Sequence, residues 1–119
     1  MPANSYKNLT AWIKAIELVQ EIYVITDKFP KMELYILVNQ MLRAAISVPS
    51  NIAEGYRRNH RLEYIQFLSI AIASAAELET QLIIAKNRYP LVDYQKAEIL
   101  LDEIQRLLYV TIRSLKGGK

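Results

Sequence analysis

The chain has 119 residues, of which 52% are hydrophobic and only 3 are glycine and 4 proline. This composition excludes a disordered chain and favours one domain, spanning 1–119, built from long regular elements. The absence of cysteine excludes a disulfide framework or a thiolate metal site and fits a reducing compartment, so we expect a cytoplasmic protein. The net charge of +3 does not by itself indicate nucleic-acid binding. We find no signal peptide and no stretch of about 20 apolar residues, so we expect no contact with a membrane.

Apolar residues recur at intervals of three and four in four segments, which is the pattern of amphipathic helices. Turn signals at 29–31, 59–60 and 88–90 separate the segments. We therefore predict helices at roughly 9–28, 32–58, 61–87 and 92–115. Because the connections are short, neighbouring helices must run antiparallel. The sequence thus predicts an all-α, up-down-up-down antiparallel four-helix bundle.

Pro49 lies inside the second segment, where polar and apolar residues occupy opposite arcs of the helical wheel on both sides of it. We therefore predict one helix kinked at Pro49, the alternative being two helices that meet there. Pro49 also leaves the carbonyl of Ala45 without its helical donor, and nearby serine or asparagine side chains can satisfy such a group. The turn positions bring Arg43 level with Glu77, so we predict a salt bridge between the second and third helices.

The third and fourth helices carry more apolar residues than one bundle seam needs. Because contiguous exposed apolar surface usually marks an interface, this surplus favours a homo-oligomer. The alternative is a monomer with a broad core. The predicted subunit interface contains Ile65, Ile72, Ile83, Leu100 and Leu107. The small residues at 69–76 favour close approach of another helix, in the same bundle or in another subunit.

No arrangement of residues indicates catalysis, so we expect no enzyme activity, cofactor or metal. His60 is the one histidine and has no evident partner, and Glu77 and Glu79 point to different faces. The candidate nucleic-acid-binding residues are Arg57, Arg58, His60 and Arg61, which flank the second turn. Arginines and nearby tyrosines can bind phosphates and stack on bases. The alternative is that they complement the helix dipole and keep the turn solvated. Lys28, Lys31, Lys86 and Arg88 make the opposite end basic as well.

The most distinctive string is Ser47-Val48-Pro49-Ser50-Asn51-Ile52-Ala53-Glu54-Gly55. Together with further matching residues, it resembles the four helix bundle protein family, also called the 23S rRNA intervening sequence proteins. The further matches are Leu9 and Trp12, 29–30, Glu33 and Tyr35, Gln40, 43–46, Tyr64, 67–68, Ala71 and 77–82. Within the matched set we expect structural roles for Arg43, Ser47, Pro49, Ser50, Asn51, Glu54, Gly55 and Glu77.

The resemblance implies a four-helix bundle without catalytic residues, assembled in relatives into rings of five. Some relatives are encoded within 23S ribosomal RNA genes. A related branch, the accessory proteins of diversity-generating retroelements, binds nucleic acid and a reverse transcriptase. Two hypotheses follow. The first is a homo-oligomer, with five subunits expected, that binds RNA or DNA through its basic ends. The second is a protein–protein scaffold that presents helix faces to a protein partner and has no nucleic-acid role.

Overall fold

Four long helices account for most of the chain in the computed structural model, which describes residues 5–117. They are α1 (Thr10–Thr26), α2 (Asn39–Tyr56), α3 (Arg61–Arg88) and α4 (Gln95–Leu115). Each helix packs against the next in chain order, and α1 also packs against α4, which closes the bundle. The described part of the chain contains no strand. The predicted up-down-up-down four-helix bundle is confirmed.

The connections at one end of the bundle are more structured than the sequence predicts. A 3-10 turn (Lys31–Glu33) and a π-helical turn (Leu34–Val38) precede α2, where we predicted continuous α-helix from residue 32. The wide π turn buries the side chain of Val38 and leaves those of Tyr35 and Ile36 exposed.

The helix α4 begins three residues later than predicted because the loop before it is held in place. The Tyr94 hydroxyl donates to the carbonyls of Ala85 (3.1 Å) and Tyr89 (2.9 Å), and the Asp93 carboxylate accepts from the amide of Gln95 (3.0 Å). Burial, and then the nearby charge of Tyr89, raise the pKa of Tyr94. These hydrogen bonds fix the loop in a non-helical conformation up to Tyr94.

The helix α2 continues through the buried Pro49 as one element, as predicted. The side-chain amide of Asn51 donates to the carbonyl of Ser47 (2.8 Å) and to its hydroxyl (2.9 Å). The expected group was the carbonyl of Ala45, so the prediction named the right kind of donor and the wrong acceptor. The Asn51 side chain starts one turn beyond Ser47, and a helical side chain reaches back by one turn to i−4.

The core contains the fully buried side chains of all four helices, among them Leu18, Ile22, Met41, Ile52, Leu78 and Ile104. The helices α2 and α3 are the most closely packed pair. In the 69–76 run, Ala71, Ser74 and Ala75 face the bundle interior while Ala73 and Ala76 are exposed. The small residues therefore serve the contact within the bundle and also leave a smooth outer surface.

The apolar content of α3 bears on the expectation that no segment of the chain is apolar enough to cross a membrane. By length and composition α3 is apolar enough to span a membrane, although we found no such segment in the sequence. Eight of its residues are buried, and 39% of its most apolar window lies inside the bundle, which explains part of this hydrophobicity. Of the remaining apolar residues, some are half-buried and others are exposed, the exposed ones being Leu62, Ile70, Ala73, Ala76, Ile83 and Ile84.

Candidate nucleic-acid interface

The antiparallel topology gathers basic side chains at one end of the bundle. The start of α1 packs here against the end of α2 and the start of α3. One residue near each of these ends lines the same small cavity, namely Leu9, Ile52 and Tyr64. The end of α4 reaches the same place through Thr111. We call this the basic end, and its charged residues within 5–117 are Lys7, Arg57, Arg58, Arg61, Arg113 and Lys116, with Glu54 and Glu63. Six cations against two carboxylates leave a net charge of +4.

The four predicted binding residues differ in whether their side chains already have a partner in the protein. Arg57, His60 and Arg61 are exposed, and none has an ionic partner within 4.0 Å among residues 5–117. Arg58 instead pairs with Glu54 at 2.6 Å and lies over the Phe67 ring, 4.8 Å from its centroid. Three of the four side chains can therefore reach a ligand directly, whereas Arg58 is held against the protein.

Arg113 and Lys116 also belong to this end, and the sequence analysis missed them. They are exposed and, in the described part of the chain, have no acidic partner. They are separated from Arg57 by more than fifty residues, and only the return of α4 brings them to the same end. The signal available in the sequence was the predicted topology, since the last helix of an up-down-up-down bundle ends beside the start of the third.

Tyr56 and Tyr64 lie beneath the basic end with their rings edge to face, 5.8 Å between centroids. Both are half-buried. Burial, and then the nearby charge of Tyr56, raise the pKa of Tyr64. The two rings thus pack α2 against α3 more than they face solvent, which weakens the prediction that they stack on bases.

The opposite end is not basic, contrary to the sequence analysis. Its charged residues are Lys28, Lys31, Lys86, Arg88 and Lys96, with Glu21, Asp27, Glu33, Asp93 and Glu98. Five cations and five carboxylates cancel, and some are paired directly, as in Lys86–Glu98 at 3.1 Å. We call this the neutral end. The charge of the protein is therefore polarised along the bundle axis.

A buried carboxylate organises the neutral end. Glu33 accepts hydrogen bonds from the Tyr89 hydroxyl and from Nε of Arg88, the latter at 3.2 Å. The Tyr89 ring also stacks on Phe29, with 4.9 Å between centroids. The hydrogen bond to the Tyr89 hydroxyl is the main cause that raises the pKa of Arg88, and the contact with Glu33 adds to it. These contacts tie the two loops together and give Arg88 an acidic partner.

The motif at 43–55 has clear structural roles at several positions. A Cβ atom added to Gly55 would lie 2.7 Å from Cβ of Phe67, so glycine permits the close approach of α2 and α3. The Ser47 hydroxyl hydrogen-bonds to that of Ser74 at 2.7 Å, and Asn51 completes this link. Pro49 is buried, whereas Ser50 is exposed.

The predicted Arg43–Glu77 salt bridge is wrong for the single protomer. The Ser47–Ser74 contact confirms that the two residues are level, but they form no ion pair within 4.0 Å. Both side chains are exposed. An exposed ion pair gains too little in water to hold two long side chains together.

The predicted interface residues divide into three groups. Leu100 is buried in the protomer, 5% exposed, so its apolar side chain belongs to the core and the prediction for it is wrong. Ile65, Ile72 and Leu107 are half-buried. Ile83 is 58% exposed and remains a candidate. The prediction failed at Leu100 because the core-facing side of α4 is wider than the single stripe of apolar residues that we assigned to the core.

What the described arrangement offers chemically is a charged surface. Residues 5–117 contain no group of three or more His, Asp or Glu side chains placed to hold a metal ion. The Ser47 hydroxyl bonds to that of Ser74 and accepts from the side-chain amide of Asn51, a group that cannot act as a base. Chemically, the basic end can bind anions.

Comparison with known proteins gives the following matches. A family model described as 23S rRNA-intervening sequence protein matches residues 7–110. The fold is similar to the crystal structure of a protein of unknown function from the S23 ribosomal protein family of Bacteroides thetaiotaomicron. That similarity has a TM-score of 0.74 at 22% sequence identity and covers 87% of this chain and 99% of the other. No curated protein matches significantly. Neither match is a known enzyme.

Proposed function

The chain belongs to the 23S rRNA-intervening sequence protein family, and we propose that it is a homo-oligomeric accessory protein that binds RNA or DNA through its basic end. The observation that carries the proposal is the polarised charge. Among the residues that the structure describes, the basic end has a net charge of +4, and Arg57, Arg61, Arg113 and Lys116 have no acidic partner there. Free, clustered cations are what phosphate contacts require.

Self-association would turn a weak site into an effective one. A single basic end with a handful of phosphate contacts binds weakly and without base preference. In a ring the basic ends of all subunits point the same way, so the contacts add through effective concentration. The resemblance to the family leads us to expect five subunits. The proposal is a binding function and includes no catalytic step.

The binding proposal is tested by fluorescence anisotropy with a structured RNA and a single-stranded DNA over a range of salt concentrations. The double substitution Arg57→Ala/Arg61→Ala removes two phosphate contacts per subunit. We expect the slope of log affinity against log salt to become shallower by about 1–2 for each subunit that contacts the nucleic acid.

The matched control is Lys28→Ala/Lys31→Ala, which removes the same charge from the neutral end. We expect its affinity and salt slope to equal those of the wild type. Equal loss in both double variants would mean that net charge alone attracts the nucleic acid, and it would overturn the basic end as the site. Absence of any salt-sensitive binding by the wild type would overturn the nucleic-acid role altogether.

The second candidate is a protein–protein scaffold, and the neutral end favours it. Met32, Tyr35, Ile36 and Leu91 are exposed there by 58% or more. Exposed apolar side chains on a surface without net charge are typical of protein interfaces. A pull-down that recovers one stable protein partner, insensitive to nuclease and lost on Tyr35→Ala, would support this function in place of the first.

A further inference from the structure

Arg43 and Glu77 are opposite charges on one face of the protomer, and neither has an ionic partner among residues 5–117. Arg43 lies one turn before Ser47 on α2, and Glu77 lies nearly one turn after Ser74 on α3. The serine hydroxyls meet at 2.7 Å and the helices are antiparallel, so both charges are displaced the same way along the bundle. They are therefore level with each other, exposed, and more than 4.0 Å apart.

Exposed isoleucines continue the same face. On α3, Ile70 and Ile84 are seven residues before and after Glu77, a spacing that keeps them on one stripe, and they are 42% and 49% exposed. We call Arg43, Ile70, Glu77 and Ile84 the Arg43–Glu77 face.

The outer surface of α3 beside this face permits close approach. Gln66, Ser69, Ala73, Ala76 and Thr80 are exposed, and none is charged. Such a surface requires little desolvation of charge, and its small side chains let another backbone come near. An apolar face with two isolated, opposite charges has the composition of a specific interface. The apolar side chains contribute buried area and the charges select the partner and its register.

We infer that the Arg43–Glu77 face packs against a second copy of this chain, with Arg43 of one protomer paired with Glu77 of the other. Arg43 on α2 and Glu77 on α3 lie at the same level, so in a closed ring α2 of each protomer can meet α3 of the next one with opposite charges at one height. The isoleucines of the two copies then cover each other. The inference rests on the self-association proposed above and names the surface that produces it. It does not depend on nucleic-acid binding.

The pairing between copies is tested with the variants Arg43→Glu and Glu77→Arg. Each variant alone places like charges opposite each other. We expect its self-association to weaken by about tenfold or more, measured by size-exclusion chromatography with light scattering. An equimolar mixture of the two variants restores opposite charges wherever the two variants meet, and we expect it to associate more strongly than either variant alone.

The mixture separates pairing between copies from a loose pairing within one copy. A double variant that carries both substitutions would restore opposite charges whether Arg43 and Glu77 pair within one copy or between copies. Mixing the two single variants restores opposite charges only if the pair forms between copies. Arg106→Glu on the exposed surface of α4 is the matched control, and it should associate like the wild type. All variants change exposed side chains, and circular dichroism checks that each retains the wild-type helix content.

The outcomes distinguish this inference from the proposed function. A mixture that associates no better than the single variants, or single variants that associate like the wild type, would overturn the Arg43–Glu77 face and leave the proposed oligomer standing. A wild-type protein that is monomeric at tens of micromolar would overturn the proposed self-association and this inference with it. Weakened association of each single variant, together with restored association in their mixture, would support both the Arg43–Glu77 face and the proposed self-association.

Discussion

Tyr64 is a residue whose environment makes stability depend on pH. Its ring packs between α2 and α3, and burial together with the charge of Tyr56 raises its pKa above the usual tyrosine value. A raised pKa means that the folded state holds the proton more tightly than the unfolded state does. The contribution is therefore fully present below the unfolded pKa of about 10 and is lost as the pH rises through the higher folded value.

We predict that Tyr64→Phe flattens this alkaline loss of stability. The hydroxyl makes no hydrogen bond within residues 5–117, so the free energy of unfolding near pH 7 should change by less than about 0.5 kcal/mol. Above about pH 10 the variant should be the more stable protein, since it has no phenol to ionise. Urea denaturation at pH 7 and at pH 10.5–11 measures both. Parallel pH profiles for variant and wild type would contradict the prediction.

Predictions about individual side chains were wrong more often than predictions about helices. The sequence analysis named Arg57, His60 and Arg61 as exposed cations near the second turn, and they are. The ion pair of Arg58 with Glu54 and its contact with the Phe67 ring could not be predicted from the sequence, because they depend on side-chain positions at the junction of two helices. The burial of Leu100 has the same origin, since helical periodicity locates a face only to within a residue or two at its edges.

At the scale of elements, the close approach of α2 and α3 depends on Gly55. Glycine in a helix interior is ordinarily unfavourable by about 1 kcal/mol relative to alanine. Here the added Cβ would lie 2.7 Å from Cβ of Phe67 and 3.0 Å from Cδ1 of Tyr64. The nearest atom is bonded to the backbone of α3, so it cannot move aside unless the helices separate.

We therefore predict that Gly55→Ala destabilises the protein by about 1–3 kcal/mol, although alanine is the better helix former. Chemical denaturation gives the change in the free energy of unfolding. Ser50→Ala is the matched control on the exposed side of the same helix and should shift it by about 0.5 kcal/mol at most. A stabilising effect of Gly55→Ala would show that the helices can separate at no cost.

Elements were largely predictable because their signal is local. The four helices, and the continuity of α2 through Pro49, follow from periodicity within each segment. The π turn before α2 and the late start of α4 do not. The latter is fixed by hydrogen bonds from the Tyr94 side chain to the carbonyls of Ala85 and Tyr89, and a hydroxyl bonding back across a loop leaves no periodic trace.

On the scale of the whole molecule, the surplus apolar surface and the polarised charge point to an assembly. A protein that associates through its folded state is stabilised by its own concentration. We predict that the melting temperature of the wild type rises by roughly 2–4 °C for a tenfold increase in concentration. Arg43→Glu should lose most of this dependence. Differential scanning calorimetry at two concentrations measures it, and a melting temperature independent of concentration in the wild type would contradict self-association.

The sequence by itself determined the fold class, the number and order of helices and the level of one helix against the next. It did so because short turns and a period of 3.6 residues leave one economical packing. It also located the arginine cluster at the second turn. The tertiary structure decided which charges are free. Glu33 and Glu98 bind cations at one end, while Arg113 and Lys116 join Arg57 at the other.

The reason for that division is physical. Hydrophobic periodicity is a property of a few turns of one helix, so it can be read locally. Ion pairing depends on distances of a few ångströms between side chains of different helices, and those distances exist only after packing. The net charge of +3 therefore said little about function, whereas its distribution, neutral at one end and +4 at the other, makes the case for an anion-binding surface.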